Sequence, residues 1–131
     1  MVTTATLIAV PAAAVAALVA SGTYYGALGG VLARVRRADG PERSGGATAA
    51  VELARNVVLA AGVAVLLAAV GVAGVGAALL LAAGLWVAFP VVLLAGSVFH
   101  EGAPTAVAAL HAGDWLIKLV IVLGTVALIS A

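Results

Sequence analysis

From Asn56 to Phe99 the chain runs for 44 residues without a single charged side chain. A hydrocarbon core about 30 Å thick takes about 20 apolar residues per helical crossing, so this stretch holds two crossings. GVAGVG, Gly71 to Gly76, is the turn-forming candidate between them. The rest of the chain has to accommodate that hairpin. At 66% hydrophobic and 8% charged residues it does so as a membrane protein, since soluble domains carry about 25% charged residues. With 131 residues there is room for one all-α domain, residues 1–131, a four-helix membrane bundle. The spans are expected at about 4–30, 54–71, 76–98 and 106–130.

The segment Met1 to Ala33 carries no ionisable side chain beyond the phenols of Tyr24 and Tyr25. It lacks the basic start of a cleaved signal and its apolar run is too long for one, so it reads as a retained span. Between the first two spans lies a polar connection, about 34–52, centred on ADGPERSGG. Five of the six Lys and Arg residues sit in or beside it: Arg34, Arg36, Arg37, Arg43 and Arg55. The positive-inside rule places that loop in the cytoplasm and both termini outside, in a multi-pass protein of the cell membrane. A net charge of +1 gives no reason to expect nucleic acid as a partner, and without cysteine there are no disulfides, thiolate metal ligands or cysteine nucleophiles.

Gly22, Gly26 and Gly30 recur every four residues on one helical face. Small residues at that spacing let backbones approach closely in lipid, where apolar surface alone drives little association. A helix contact is expected on that face, made by this chain or by a second copy in a homo-oligomer. Ionisable groups are few but pointed. With Pro104 in the first turn of the last helix, His111, Asp114 and Lys118 share one face at i, i+3 and i+7. Asp114 would lie about 15 Å and Lys118 about 21 Å along that helix, too deep to face lipid cheaply. Glu101 stands just before it, beside His100. Two readings of Asp114 and Lys118 stay open, a self-neutralising pair or a working site. Glu52 and Arg55, three residues apart, read as an interfacial pair.

YYG at Tyr24 to Gly26, FHEGAP at Phe99 to Pro104 and the following LHAGDWLIKLV resemble the bacterial membrane-protein family catalogued as domain of unknown function 1761. The likeness covers nearly the whole chain. It implies four spans and gives weight to Glu101, but the family name carries no activity. This chain departs from the family pattern by inserting His100 and by placing Asp114 where many relatives have an aromatic residue.

A channel or proton-coupled transporter needs polar groups through the full membrane depth, whereas here they occupy one half. That pattern describes a pocket opening to the cytoplasm or inner leaflet, unless several subunits line a pore together. An apolar setting favours the protonated form of a carboxyl group, the form that general acid work requires. Glu101 and Asp114 are the expected acids, with His111 as proton partner and Lys118 tuning Asp114. Tyr24, Tyr25, Trp86, Phe89, Phe99 and Trp115 would wall a lipophilic substrate, and aromatic faces stabilise cations. The expectation is an intramembrane enzyme acting on an isoprenoid-like substrate by proton-initiated chemistry, similar in setting to membrane terpene cyclases, with no metal and no cofactor. Ligands drawn from His100, Glu101, His111 and Asp114 would match no metal-binding spacing. The alternatives are a small accessory or structural subunit and an oligomeric small-solute or proton-coupled transporter.

Overall fold

The computed structural model describes residues 3–35 and 43–130. Helix α1 is Thr4–Val35 and α2 is Gly45–Val70. The third span is one rod in three pieces: α3, Val75–Trp86, a π-helical turn, Val87–Val91, and α4, Val92–Glu101. Helix α5, Thr105–Ser130, completes an all-helical arrangement whose four rods are each long and apolar enough to cross a bilayer. Arg36, Arg37, Asp39 and Glu42, expected in the basic loop, lie outside the described residues.

Helix α2 starts well before the apolar run expected from residue 54. Ser44 caps it: with extended backbone at Ser44, its hydroxyl accepts the Ala47 N–H at 3.1 Å, which satisfies one of the donors a helix start leaves open. As a result Glu52 and Arg55 are helical residues within the second span and not part of a loop. At the other end Gly71 takes the left-handed conformation (φ 69°) and its N–H reaches Leu67 O, a C-cap suited to a residue without Cβ. Gly102 (φ 68°) ends α4 in the same way, returning its N–H to Ser97 O. Pro104 stands one residue before α5, where its carbonyl accepts from the Val107 and Ala108 N–H groups at 3.0 and 3.1 Å.

The Gly71–Gly74 turn joins α2 to α3, yet the two helices scarcely touch. Helix α5 lies between them. It packs most extensively on α1, then on α3, and also on α2. The core is built from small residues on α1 and branched ones on α5: Ala9, Ala13 and Ala17 meet Val122, Leu123 and Val126 with Val63, Leu67, Ala78 and Ala82. In lipid such close approach yields dispersion contacts that apolar burial alone does not. The small-residue seam of α1 is therefore the alanine row Ala9, Ala13, Ala17, continued by buried Ser21. The glycine row is elsewhere on the helix. A Cβ added at Gly22, Gly26 or Gly30 would meet no atom within 4 Å among the described residues, so the contact expected there is not made by any of them.

Proline shapes the third span. Pro90 lacks the N–H for a regular helical bond, and the turn around it widens into π geometry with Pro90 buried, the usual outcome when a helix absorbs an irregular residue.

Candidate functional site

Helix α5 brings its polar face to α1 and α2 in the half of the bundle where α1 ends and α2 and α5 begin. Lys118 Nζ lies 2.7 Å from Asp114 Oδ2 on its own helix and 3.0 Å from Glu52 Oε2 on α2. Both α5 residues are only 4% exposed. The other Asp114 oxygen accepts the Ser21 hydroxyl from α1. Glu52 Oε1 holds Arg55 Nη1 at 2.5 Å, and the Arg55 side chain is 54% exposed. One chain of contacts thus ties three helices together: Arg55, Glu52, Lys118, Asp114, Ser21. With two carboxylates and two cations, it is neutral as a unit.

Depth makes the pairing necessary. Asp114 and Lys118 lie about 14 and 20 Å along α5 at 1.5 Å per residue, a helix long and apolar enough to cross a bilayer, and buried there an isolated ion would be expensive. The sequence view of Asp114 and Lys118 as a simple intrahelical pair omits their partners on α1 and α2. Glu52, read as an interfacial residue, is the inter-helical partner of Lys118.

A second set of polar contacts fixes α5 one turn earlier. Tyr24 donates its hydroxyl to Leu110 O at 3.0 Å, and Trp86 donates its indole N–H to Ala112 O at 2.7 Å. Tyr25 Oη pairs with His111 Nδ1 at 2.7 Å. Three consecutive α5 residues are therefore gripped by aromatic side chains from α1 and α3. Gly113 makes the grip fit, because a Cβ there would run into the Tyr24 hydroxyl. The two tyrosine rings pack edge to face with centroids 5.5 Å apart.

The remaining expected residues lie elsewhere. Glu101 is exposed at the end of α4 and accepts the Ser97 hydroxyl at 3.0 Å, apart from the Asp114 pocket. His100 and Phe99 are exposed and packed on one another, centroids 4.9 Å apart. Among the described residues no three His, Asp or Glu side chains converge as metal ligands.

Besides a cavity of about 650 Å³ between α4 and the start of α5, lined by Phe99 among others, two cavities flank α5. The polar one, about 610 Å³, is lined by Ser21, Tyr25, Glu52, Arg55, His111, Asp114, Trp115 and Lys118 among others. The apolar one, about 560 Å³, is a groove between α2 and the third span, lined by Leu59, Gly62, Phe89, Pro90, Leu93, Trp115 and neighbours. It exists because α2 and α3 diverge around α5. Trp115 belongs to both walls, and its ring centre lies 5.7 Å from Lys118 Nζ. Phe89 lines the groove, Trp86 serves as a donor to α5, and Phe99 lines neither of these two cavities. Ser21 was unreadable in advance, since a lone serine in an alanine-rich span carries no signal. The Tyr24–Gly113 fit had one: a glycine without turn context facing an aromatic pair.

No curated protein and no solved structure matches the chain. The family model described as Protein of unknown function (DUF1761) matches residues 8–128, nearly the whole chain, and the chain belongs to that family.

Proposed function

We propose that the protein is an enzyme of the cell membrane that takes a lipophilic, isoprenoid-like substrate from the bilayer and acts on it by proton transfer at the cytoplasmic half of the membrane. The observation that carries this reading is the shared wall at Trp115: an apolar groove of about 560 Å³ abuts a pocket holding a histidine–tyrosine pair and a buried ion network. Pockets of this size, apolar with few placed polar groups, are the usual form of small-molecule sites.

The roles follow from what each group already holds. Asp114 has one oxygen on Lys118 and the other on Ser21, which makes it a fixed part of the pocket wall and leaves proton transfer to another group. His111, half-buried in the same pocket with Tyr25 on Nδ1, is the proton carrier, and histidine is the commonest general acid or base. Such a donor suits activation of an epoxide or carbonyl oxygen better than protonation of an isolated alkene. Glu101 has no part in this pocket.

The test is conversion of farnesyl- and geranylgeranyl-bearing epoxides, alcohols and ketones by detergent-solubilised protein, read by chromatography and mass spectrometry. His111→Gln should lower turnover by about a hundredfold or more. No conversion across the panel, or full activity in both His111→Gln and Tyr25→Phe, overturns the proposal.

A second reading has its own support. The open glycine row Gly22, Gly26, Gly30 is the surface an accessory subunit or self-assembling transporter would use to pack against another helix. Chemical crosslinking in native membranes, compared with Gly26→Ile, separates it from the enzyme reading.

A further inference from the structure

We infer that the head group admitted to the polar pocket is uncharged, a carbonyl or hydroxyl carried on a lipid chain that lies in the Trp115 groove. The inference rests on the proposal that these cavities take an amphiphile, and it concerns which chemical class of amphiphile they select.

The charges of the pocket are already spent on one another. Lys118 spans Asp114 and Glu52 at 2.7 and 3.0 Å. Each carboxylate uses both oxygens, Asp114 on Lys118 and Ser21, Glu52 on Lys118 and Arg55. A phosphate or diphosphate could reach the third donor of Lys118, but it would set two or more negative charges against Asp114 and Glu52 or else draw Lys118 away from them. A cationic head would have to do the reverse. Removing one partner of a buried pair is among the costliest changes a protein interior can suffer. Among the described residues that line this cavity, Arg55 is the cation at the rim, and Glu52 already shares it. A single half-solvated guanidinium does not match the charge of a diphosphate, for which sites supply several donors or a metal.

Hydrogen-bonding capacity without net charge remains. His111 Nδ1 is occupied by Tyr25, and Nε2 bonds to none of the described residues. Lys118 has three donor positions and two named acceptors. Imidazole and phenol together can donate to a carbonyl oxygen or exchange bonds with a hydroxyl, and neither act disturbs the ion network. The chain is accommodated separately: every groove-lining side chain, from Val58 and Leu59 on α2 to Leu93 and Leu94 on α4, is apolar, with Gly62 leaving room between them. Position also agrees. The polar cavity lies toward the starts of α2 and α5, and the groove begins about one turn deeper on α2, at Val58, so head and chain would lie in the sense of a lipid in its leaflet.

Trp86→Phe leaves Trp115 as the sole tryptophan, because the chain has two, and Trp115 faces both cavities. The full chain in detergent is titrated with geranylgeraniol, the corresponding methyl ketone, geranylgeranyl diphosphate and geranylgeranylamine while Trp115 emission is followed. The alcohol and ketone should bind at least tenfold more tightly than the diphosphate and amine. Tyr25→Phe combined with His111→Ala should erase that preference and leave binding of the bare chain, phytane, unchanged, with helix content checked by circular dichroism. Gly62→Phe should block every ligand. Diphosphate or amine binding equal to or tighter than the alcohol overturns the uncharged-head inference and leaves the amphiphile site standing. No saturable change with any ligand overturns the amphiphile site itself.

Discussion

Lys118→Met deletes the one charge that serves two carboxylates, and the structure sets the size of the effect. Methionine matches the volume and helix preference of the lysine stem, so packing on α1 and α2 is preserved while the ammonium disappears. Asp114, 4% exposed, is left with only the Ser21 hydroxyl. Glu52, whose side chain is 25% exposed, keeps Arg55 at 2.5 Å, so most of the loss falls on Asp114. Breaking a buried pair from one side costs about 3–5 kcal/mol, against about 0.6 kcal/mol for an average hydrogen bond between membrane helices. The two magnitudes are far enough apart to discriminate. Lys118→Leu with Asp114→Leu removes both charges, returns Ser21 to an intrahelical carbonyl, and should unfold within about 1 kcal/mol of wild type or above it. The assay is unfolding in mixed micelles by titrated dodecyl sulfate, followed by far-ultraviolet circular dichroism and tryptophan emission, with Asp114→Leu alone completing a double-mutant cycle. If Lys118→Met unfolds within about 0.6 kcal/mol of wild type, Lys118 is not the buried partner of Asp114 and the ion network does not hold the three helices.

Three further outcomes are expected. Gly113→Ala should cost about 1–3 kcal/mol by overpacking against Tyr24, and Tyr24→Phe should recover part of that loss, measured in the same micelle titration. Trp86→Phe, which keeps an aromatic ring and removes the donor to Ala112 O, should destabilise by about 0.5–1.5 kcal/mol. A cysteine placed at Ser44 should react with thiol reagents from the cytoplasm and one at Ser130 from outside, and the opposite pattern in intact cells would reverse the membrane orientation and the leaflet of substrate entry.

Four spans and the deep polar face of α5 were legible because length and the distribution of charge act locally along the chain. A 44-residue uncharged run admits few alternatives to two crossings, and helical spacing puts His111, Asp114 and Lys118 on one face wherever the helix goes. What the face meets was not legible. Glu52 lies 66 residues from Lys118, and its visible neighbour Arg55 offered a sufficient local explanation for its charge. The seam used within the chain on α1 was hidden for a similar reason: alanines at 9, 13 and 17 and glycines at 22, 26 and 30 both keep the four-residue spacing. Only the neighbouring helices decide which is covered. Glu101 drew attention through its place in the FHEGAP stretch, yet the Gly102 cap ends α4 there with the carboxylate turned outward.

Because α5 is the helix that contacts all the others, it has consequences for how the molecule is assembled in time. Synthesis delivers the central helix after the other three spans. Until then the third span has hardly any surface to dock on, since it scarcely meets α2, and the carboxylate of Glu52 waits in the membrane with Arg55 alone. Helix α5 in turn carries Asp114 and Lys118, and its insertion is favourable chiefly where α1 and α2 already present Ser21 and Glu52. The protein should therefore behave as a three-span precursor completed by a closing helix. A chain divided in the Gly102–Ala103 connection and expressed as two pieces should reassemble, with the first piece short-lived in the membrane unless the second is supplied.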